Sequence, residues 1–169
     1  MESLADPKLA IIIAVLFARF KNATYRFPFI GITLNLIGTL LHELAHFFIA
    51  LILNGRPTSF TILPRRQGDM WVFGSVEITN SSWYNALPIA MAPLLLFLAA
   101  YFLDRWYIAM PIEKTLWSDF GYLMTLVILV ENAIPSTQDF KVAFSKIFGV
   151  LFFFALFGYF FFHPIFHIL

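Results

Sequence analysis

The chain has 169 residues, of which 60% are hydrophobic and 12% charged, with a formal net charge of +1. Soluble domains carry about 25% charged residues, and one this small has too little interior to hide so much apolar surface. Composition thus points to lipid as the solvent and offers no basic field for nucleic acid, while the lack of cysteine excludes disulfides and thiolate metal sites.

In chain order, the first apolar stretch covers residues 9–17 and is followed by Arg19 and Lys21. It is short beside the roughly 20 apolar residues of a spanning helix. It reads as a short span or an interfacial helix, with a span favoured. Glu2 and Asp6 precede it where a signal peptide would be basic, so no cleavable signal is expected. A long apolar helix is predicted over residues 27–53, with Gly31 and Gly38 allowing close helix packing. Residues 58–63 and 71–78 are rich in β-branched and aromatic side chains and flank a polar turn at residues 65–69. They predict a β-hairpin beside the membrane.

A second long helix is predicted over residues 83–103, where Pro88 and Pro93 should delay its start or kink it. A third covers residues 116–134, and residues 135–141 connect it to a phenylalanine-rich helix over residues 147–169. Trp71, Trp83, Trp106 and Trp117 lie near segment ends and fit the aromatic belts of a membrane interface. His163 and His167 are separated by Pro164 and read as interface markers rather than a second metal site. If all five apolar segments span, Lys and Arg divide six against five, which leaves the orientation open. The expected architecture is an all-α, multi-pass membrane bundle of four to five transmembrane helices with a small membrane-associated β-hairpin. No internal repeat or domain boundary is visible, so residues 1–169 form a single expected domain. For a bacterial source its place would be the cell membrane.

The strongest local signal is His42-Glu43-Leu44-Ala45-His46. Residues four apart share one helix face, so both imidazoles can reach one ion, while Glu43 sits one step round, where it can contact a water. Zinc chemistry needs this division: neutral imidazoles hold the ion, and a carboxylate takes the proton of the water. With the histidine and glutamate frequencies of this chain, a chance match has a probability of about 0.3%. The motif also lies within an apolar helix, where a charged residue costs about 2.5–3.5 kcal/mol and therefore usually serves function. A polar cluster satisfied by hydrogen bonds alone would leave the spacing unexplained. A catalytic zinc takes a third protein ligand, and the carboxylates and amide near the end of the third long helix, Glu131, Asn132 and Asp139, are the candidates.

With His42-Glu43-Leu44-Ala45-His46 in one apolar helix and Asn132-Ala133-Ile134-Pro135 followed by Asp139 near the end of a later one, the sequence resembles the site-2 protease family of intramembrane zinc metalloproteases. The hairpin between the first two long helices and Ala92-Pro93 fit as well. The likeness covers about residues 30–141, with the C-terminal helix outside it. It implies a three-helix catalytic core, His42, His46 and Asp139 as zinc ligands, Glu43 as general base, Asn132 near the substrate, and a cytosolic hairpin. The substrate would be a membrane protein or peptide. Phe140 and Lys141 follow Asp139 where the family commonly has glycine, and Glu131 is the alternative third ligand. Two other classes of function compete with the enzyme: a membrane metal transporter or sensor, and a catalytically silent scaffold. A transporter would need polar residues along a path through several helices, whereas here they gather at one site.

Overall fold

The computed structural model of the protein describes residues 12–13, 16, 19, 28–62, 65–67, 70–72, 74–111 and 113–166. The elements in order are α1 (Pro28–Ile52), β1 (Pro57–Thr61), β2 (Arg65–Gln67), β3 (Met70–Val72), β4 (Ser75–Ile78), α2 (Ala86–Ala90), a 3₁₀ turn (Ala92–Leu94), α3 (Leu95–Ala109), α4 (Leu116–Asn132), α5 (Thr137–Phe144) and α6 (Ile147–Phe166). Most of the apolar stretch at residues 9–17, read as a short span, lies outside the described residues; Ile12, Ile13 and Leu16 within it are helical. His167 lies outside them too.

The helix α1 carries the His-Glu-x-x-His motif and matches the expected segment to within a residue at each end. Proline at its first position suits helical φ and forgoes an N–H that would have no partner there. Its exit is a left-handed turn: Asn54 has φ 54°. The Gly55 N–H reaches back to Ala50 O at 2.6 Å, and the Asn54 N–H bonds Leu51 O at 3.3 Å. This pairing satisfies carbonyls that a helix end otherwise leaves open.

The expected hairpin is built differently. The strand predicted over residues 71–78 is split into β3 and β4, and Arg65–Gln67, expected as turn, forms β2. β1 pairs antiparallel with β4, and β2 with β3, giving two separate two-stranded sheets. Gly74 interrupts the longer strand with φ 147°, a conformation that residues with a Cβ rarely adopt.

The second long helix also departs from expectation. It begins as α2 at Ala86, breaks at Met91 and the 3₁₀ turn, and resumes as α3, which continues to Ala109 instead of ending at Leu103. The proline break was anticipated, but the extension was not. Asp104 lies within α3 because the Tyr122 hydroxyl donates to its carboxylate at 2.6 Å. Beside it, the Tyr107 hydroxyl donates to Asp119, and the two tyrosine rings stack at 4.2 Å. These partners satisfy two carboxylates that would otherwise oppose helix packing.

Leu96 and Ala100 of α3 pack on Leu129 of α4 and on Ala133, with Leu41 of α1 against them. The alanines allow close approach of the backbones. α4 ends at Asn132, and α5 leaves it at an angle of 44°. The connection expected over residues 135–141 is therefore only a short turn, and Asp139 lies on a helix rather than in a loop. Serine at the N-cap explains this: Ser136 Oγ accepts the Asp139 N–H at 3.2 Å, and Asp139 Oδ2 accepts the Ser136 N–H at 2.6 Å. α6 rests on this assembly through the edge of Trp83 against Phe152, at 5.5 Å.

Among the described residues, Ala92–Ala109 is long and apolar enough to cross a membrane, and Leu116–Asn132 with Thr137–Phe144 passes the same test as a bent pair. Leu36–Ile52 and Ile147–Phe161 are shorter apolar helices. One or two such spans among the described residues support membrane association.

Candidate metal centre

His42 and His46 lie one turn apart on α1, with ring centroids 4.9 Å apart. Their Nε2 atoms approach to 3.2 Å. Asp139 reaches both from the first turn of α5: Oδ2 is 3.4 Å from His42 Nε2, and Oδ1 is 3.3 Å from His46 Nε2. These three residues form a group that can hold a metal ion. Among the described residues, Glu131 is not part of it. The alternative third ligand therefore lies outside the cluster, although it is separated from Asp139 by only a turn of chain.

The outward-facing ring nitrogens define the chemistry. His42 Nδ1 lies 2.8 Å from Asn132 O, and His46 Nδ1 lies 2.7 Å from Ile89 O. A carbonyl oxygen can only accept, so both Nδ1 atoms carry a proton, and in the neutral form each ring presents its Nε2 lone pair. With both rings neutral, two lone pairs and a carboxylate would converge with no proton among them. One added proton would relieve part of this repulsion, whereas a divalent cation relieves all three contacts. Ligand atoms bound tetrahedrally at about 2.0–2.1 Å lie about 3.3–3.4 Å apart, which matches the observed 3.2, 3.3 and 3.4 Å. The donor set and its spacing fit an ion held by nitrogen and oxygen.

The supporting shell is largely backbone. Asn132, expected near substrate, contributes its main-chain carbonyl to His42, while its side chain donates to Ile128 O at 2.8 Å. That side chain lies against Gly38, where a Cβ would come within 2.1 Å of Asn132 Nδ2. The close packing expected at Gly38 is thus a contact between the histidine helix and the end of α4. Gly38→Val is expected to push α4 away, take the Asn132 carbonyl from His42, and lower metal affinity about 10–100-fold, as the loss of a ligand's hydrogen-bond partner does. Metal titration by competition with a chelator checks this, and unchanged affinity would show that the contact is not coupled to the site.

Ile89 is held in place by Asn85, which is fully buried. Asn85 Nδ2 donates to Leu53 O just beyond α1 at 3.3 Å and to Asn80 O after β4 at 2.9 Å, while Oδ1 accepts the Ser82 N–H at 2.7 Å. One amide thus fastens the exit of the histidine helix to the start of α2. One turn later, the Ile89 carbonyl meets His46.

Glu43 is half-buried one step round from His42 and borders the start of β4. A Cβ on Gly74 would lie 3.0 Å from Glu43 Oε1 and 2.7 Å from Thr39 Cγ2. Gly74 therefore lets the strand backbone lie against the carboxylate. Its signal in the sequence is a glycine inside a strand pattern, which marks a bulge or a close backbone approach. The carbonyls of Ile89 and Asn132 carried no side-chain signal at all. Ser136 was legible as the first member of Ser136-Thr137-Gln138-Asp139, a capping pattern in which the acid doubles as the ligand.

Comparisons with known protein families, with curated proteins and with solved structures found no match to this chain.

Proposed function

We propose that this chain is a multi-pass intramembrane zinc metalloprotease of the site-2 protease type, cleaving peptide bonds of membrane-embedded substrates. The observation that carries the reading is the convergence of His42 Nε2, His46 Nε2 and an Asp139 oxygen, with Glu43 on the same helix but outside the set of three. Zinc suits it because two imidazoles and one carboxylate leave a tetrahedral position open. Large apolar side chains facing outward, including Phe148, Phe154, Phe157 and Phe160 of α6, support a lipid setting.

Bound zinc would polarise the scissile carbonyl and acidify the attacking water. His42, His46 and Asp139 hold the ion, and the carbonyls of Asn132 and Ile89 hold the two rings. Glu43 accepts a proton from the water as its oxygen bonds to the scissile carbon. The peptide C–N bond then breaks, and Glu43 returns the proton to the leaving amine. The substrate must be extended at the cut, because helical peptide bonds are shielded and already paired. The β1–β4 sheet has two strands, and β4 follows directly on Gly74, which lies beside Glu43. An extended segment added to its edge would pass the base.

Removal of metal from the detergent-purified protein is expected to abolish cleavage of a single-spanning substrate, and stoichiometric zinc to restore it. Undiminished cleavage after the metal is shown to be gone would refute the reading.

A further inference from the structure

Each histidine is buttressed by a carbonyl near a helix end, and near each carbonyl the chain places a proline. In a continuous α-helix the carbonyl of Ile89 would accept the N–H of residue 93. That residue is Pro93, buried in the 3₁₀ turn and without an N–H to give. Asn132 is the last residue of α4. The N–H groups placed to reach its carbonyl belong to residues three and four further on. The first of these is Pro135, again without an N–H. The second is Ser136, whose N–H is taken by Asp139 Oδ2 at 2.6 Å. Ile89 O, which also takes the backbone N–H of the α2 C-cap at Met91, thereby keeps a lone pair for His46 Nδ1 at 2.7 Å, and Asn132 O is left to His42 Nδ1 at 2.8 Å.

We propose that Pro93 and Pro135 are positioning residues of the metal centre: by withholding an N–H, each frees a carbonyl that holds one histidine in the tautomer whose Nε2 faces the ion. The inference rests on the metal-binding reading of His42, His46 and Asp139. A helical N–H draws its carbonyl along the helix axis, whereas a carbonyl without that partner can tilt outward to a neighbouring helix. The two prolines act at separate helix ends on separate rings, so the same device occurs twice. Asp139 strengthens it on one side. The carboxylate that faces both histidines also occupies the one remaining N–H that could compete for the Asn132 carbonyl. The alternative role for each proline is purely mechanical, a ring that bends the helix.

Removing the ring while either restoring or withholding the N–H separates the two roles. Pro93→Ala and Pro135→Ala restore it. Lactic acid at position 93 or 135, introduced as a backbone ester, has the side chain of alanine but no N–H. Zinc affinity, read by competition with a chelator, is expected to fall about 10–100-fold in the alanine forms and to stay near the wild-type value in the ester forms. In metal-free wild-type protein, ¹⁵N NMR is expected to show both histidines protonated on Nδ1. A neutral ring at either histidine with its proton on Nε2 and none on Nδ1 would overturn the proposal without recourse to any variant. Equal weakening in the alanine and ester forms would overturn it by assigning the effect to the ring, as would affinity unchanged in both. A wild-type protein that binds no zinc would instead sink the metal reading, and the tautomers would still decide whether the carbonyls hold the rings as described.

Discussion

Glu43→Gln is expected to leave zinc content at the wild-type level while slowing peptide hydrolysis by about 10²–10⁴-fold, the usual contribution of a positioned general base. The reason is geometric. The metal-facing group consists of His42, His46 and Asp139, and Glu43 is not a member. Glutamine keeps the size of the side chain beside Gly74, where a Cβ would crowd both Thr39 and residue 43, and removes only the capacity to take a proton. The variant should fold, bind zinc, and retain a membrane substrate uncut, so that single-spanning proteins accumulate in cells carrying it. A transporter or scaffold would tolerate the change, because neither needs a proton acceptor at this position. Cleavage at the wild-type rate would show that Glu43 is not the base.

His42→Ala/His46→Ala is expected to reduce zinc to background, measured by elemental analysis of the folded protein. Losing both imidazoles leaves one carboxylate from a set of three. The more discriminating comparison is Asp139→Asn against Glu131→Gln. Asparagine retains an oxygen able to accept the Ser136 N–H, so the start of α5 keeps its cap. It loses the charge that faces both rings. Zinc affinity should therefore fall in Asp139→Asn and hold in Glu131→Gln. The opposite result would transfer the third ligand to Glu131 and contradict the geometry. Asp139→Ala confounds the two roles, since it removes ligand and cap together, and loss of a cap alone costs about 0.5–2 kcal/mol.

Much of the site was legible because helical periodicity is a local property. The four-residue spacing of His42 and His46 places both rings on one face whatever surrounds the helix. Its position in an apolar segment singled it out among the chain's polar residues. The expected segment of residues 27–53 and the observed α1 agree for the same reason: about seven helical turns of apolar residues have few other ways to pair their backbone. The hairpin was less legible. Strand pairing depends on which edges meet, and Gly74 divides a β-prone run that otherwise looks continuous. α3 passed its expected end because Asp104 finds the Tyr122 hydroxyl, a partner from another helix.

By itself the sequence determined an apolar, mostly helical chain, the histidine pair with its glutamate, and the short roll of carboxylates from which a third ligand had to come. These follow from composition and from spacing along one helix. Only the tertiary structure brings Asp139, and not Glu131, into the group with His42 and His46 that can hold a metal ion. That placement depends on a helix ending at Asn132, a bend of 44°, and a new helix capped by Ser136. Those features swing one carboxylate against His42 and His46 and leave the other outside the group. The tertiary structure alone also supplied the carbonyls of Ile89 and Asn132 as the groups that orient the histidines. Every residue but proline carries the same backbone donor and acceptor, so no residue type marks a carbonyl as functional. What marks these two is a neighbour across the fold and a proline close by in the chain.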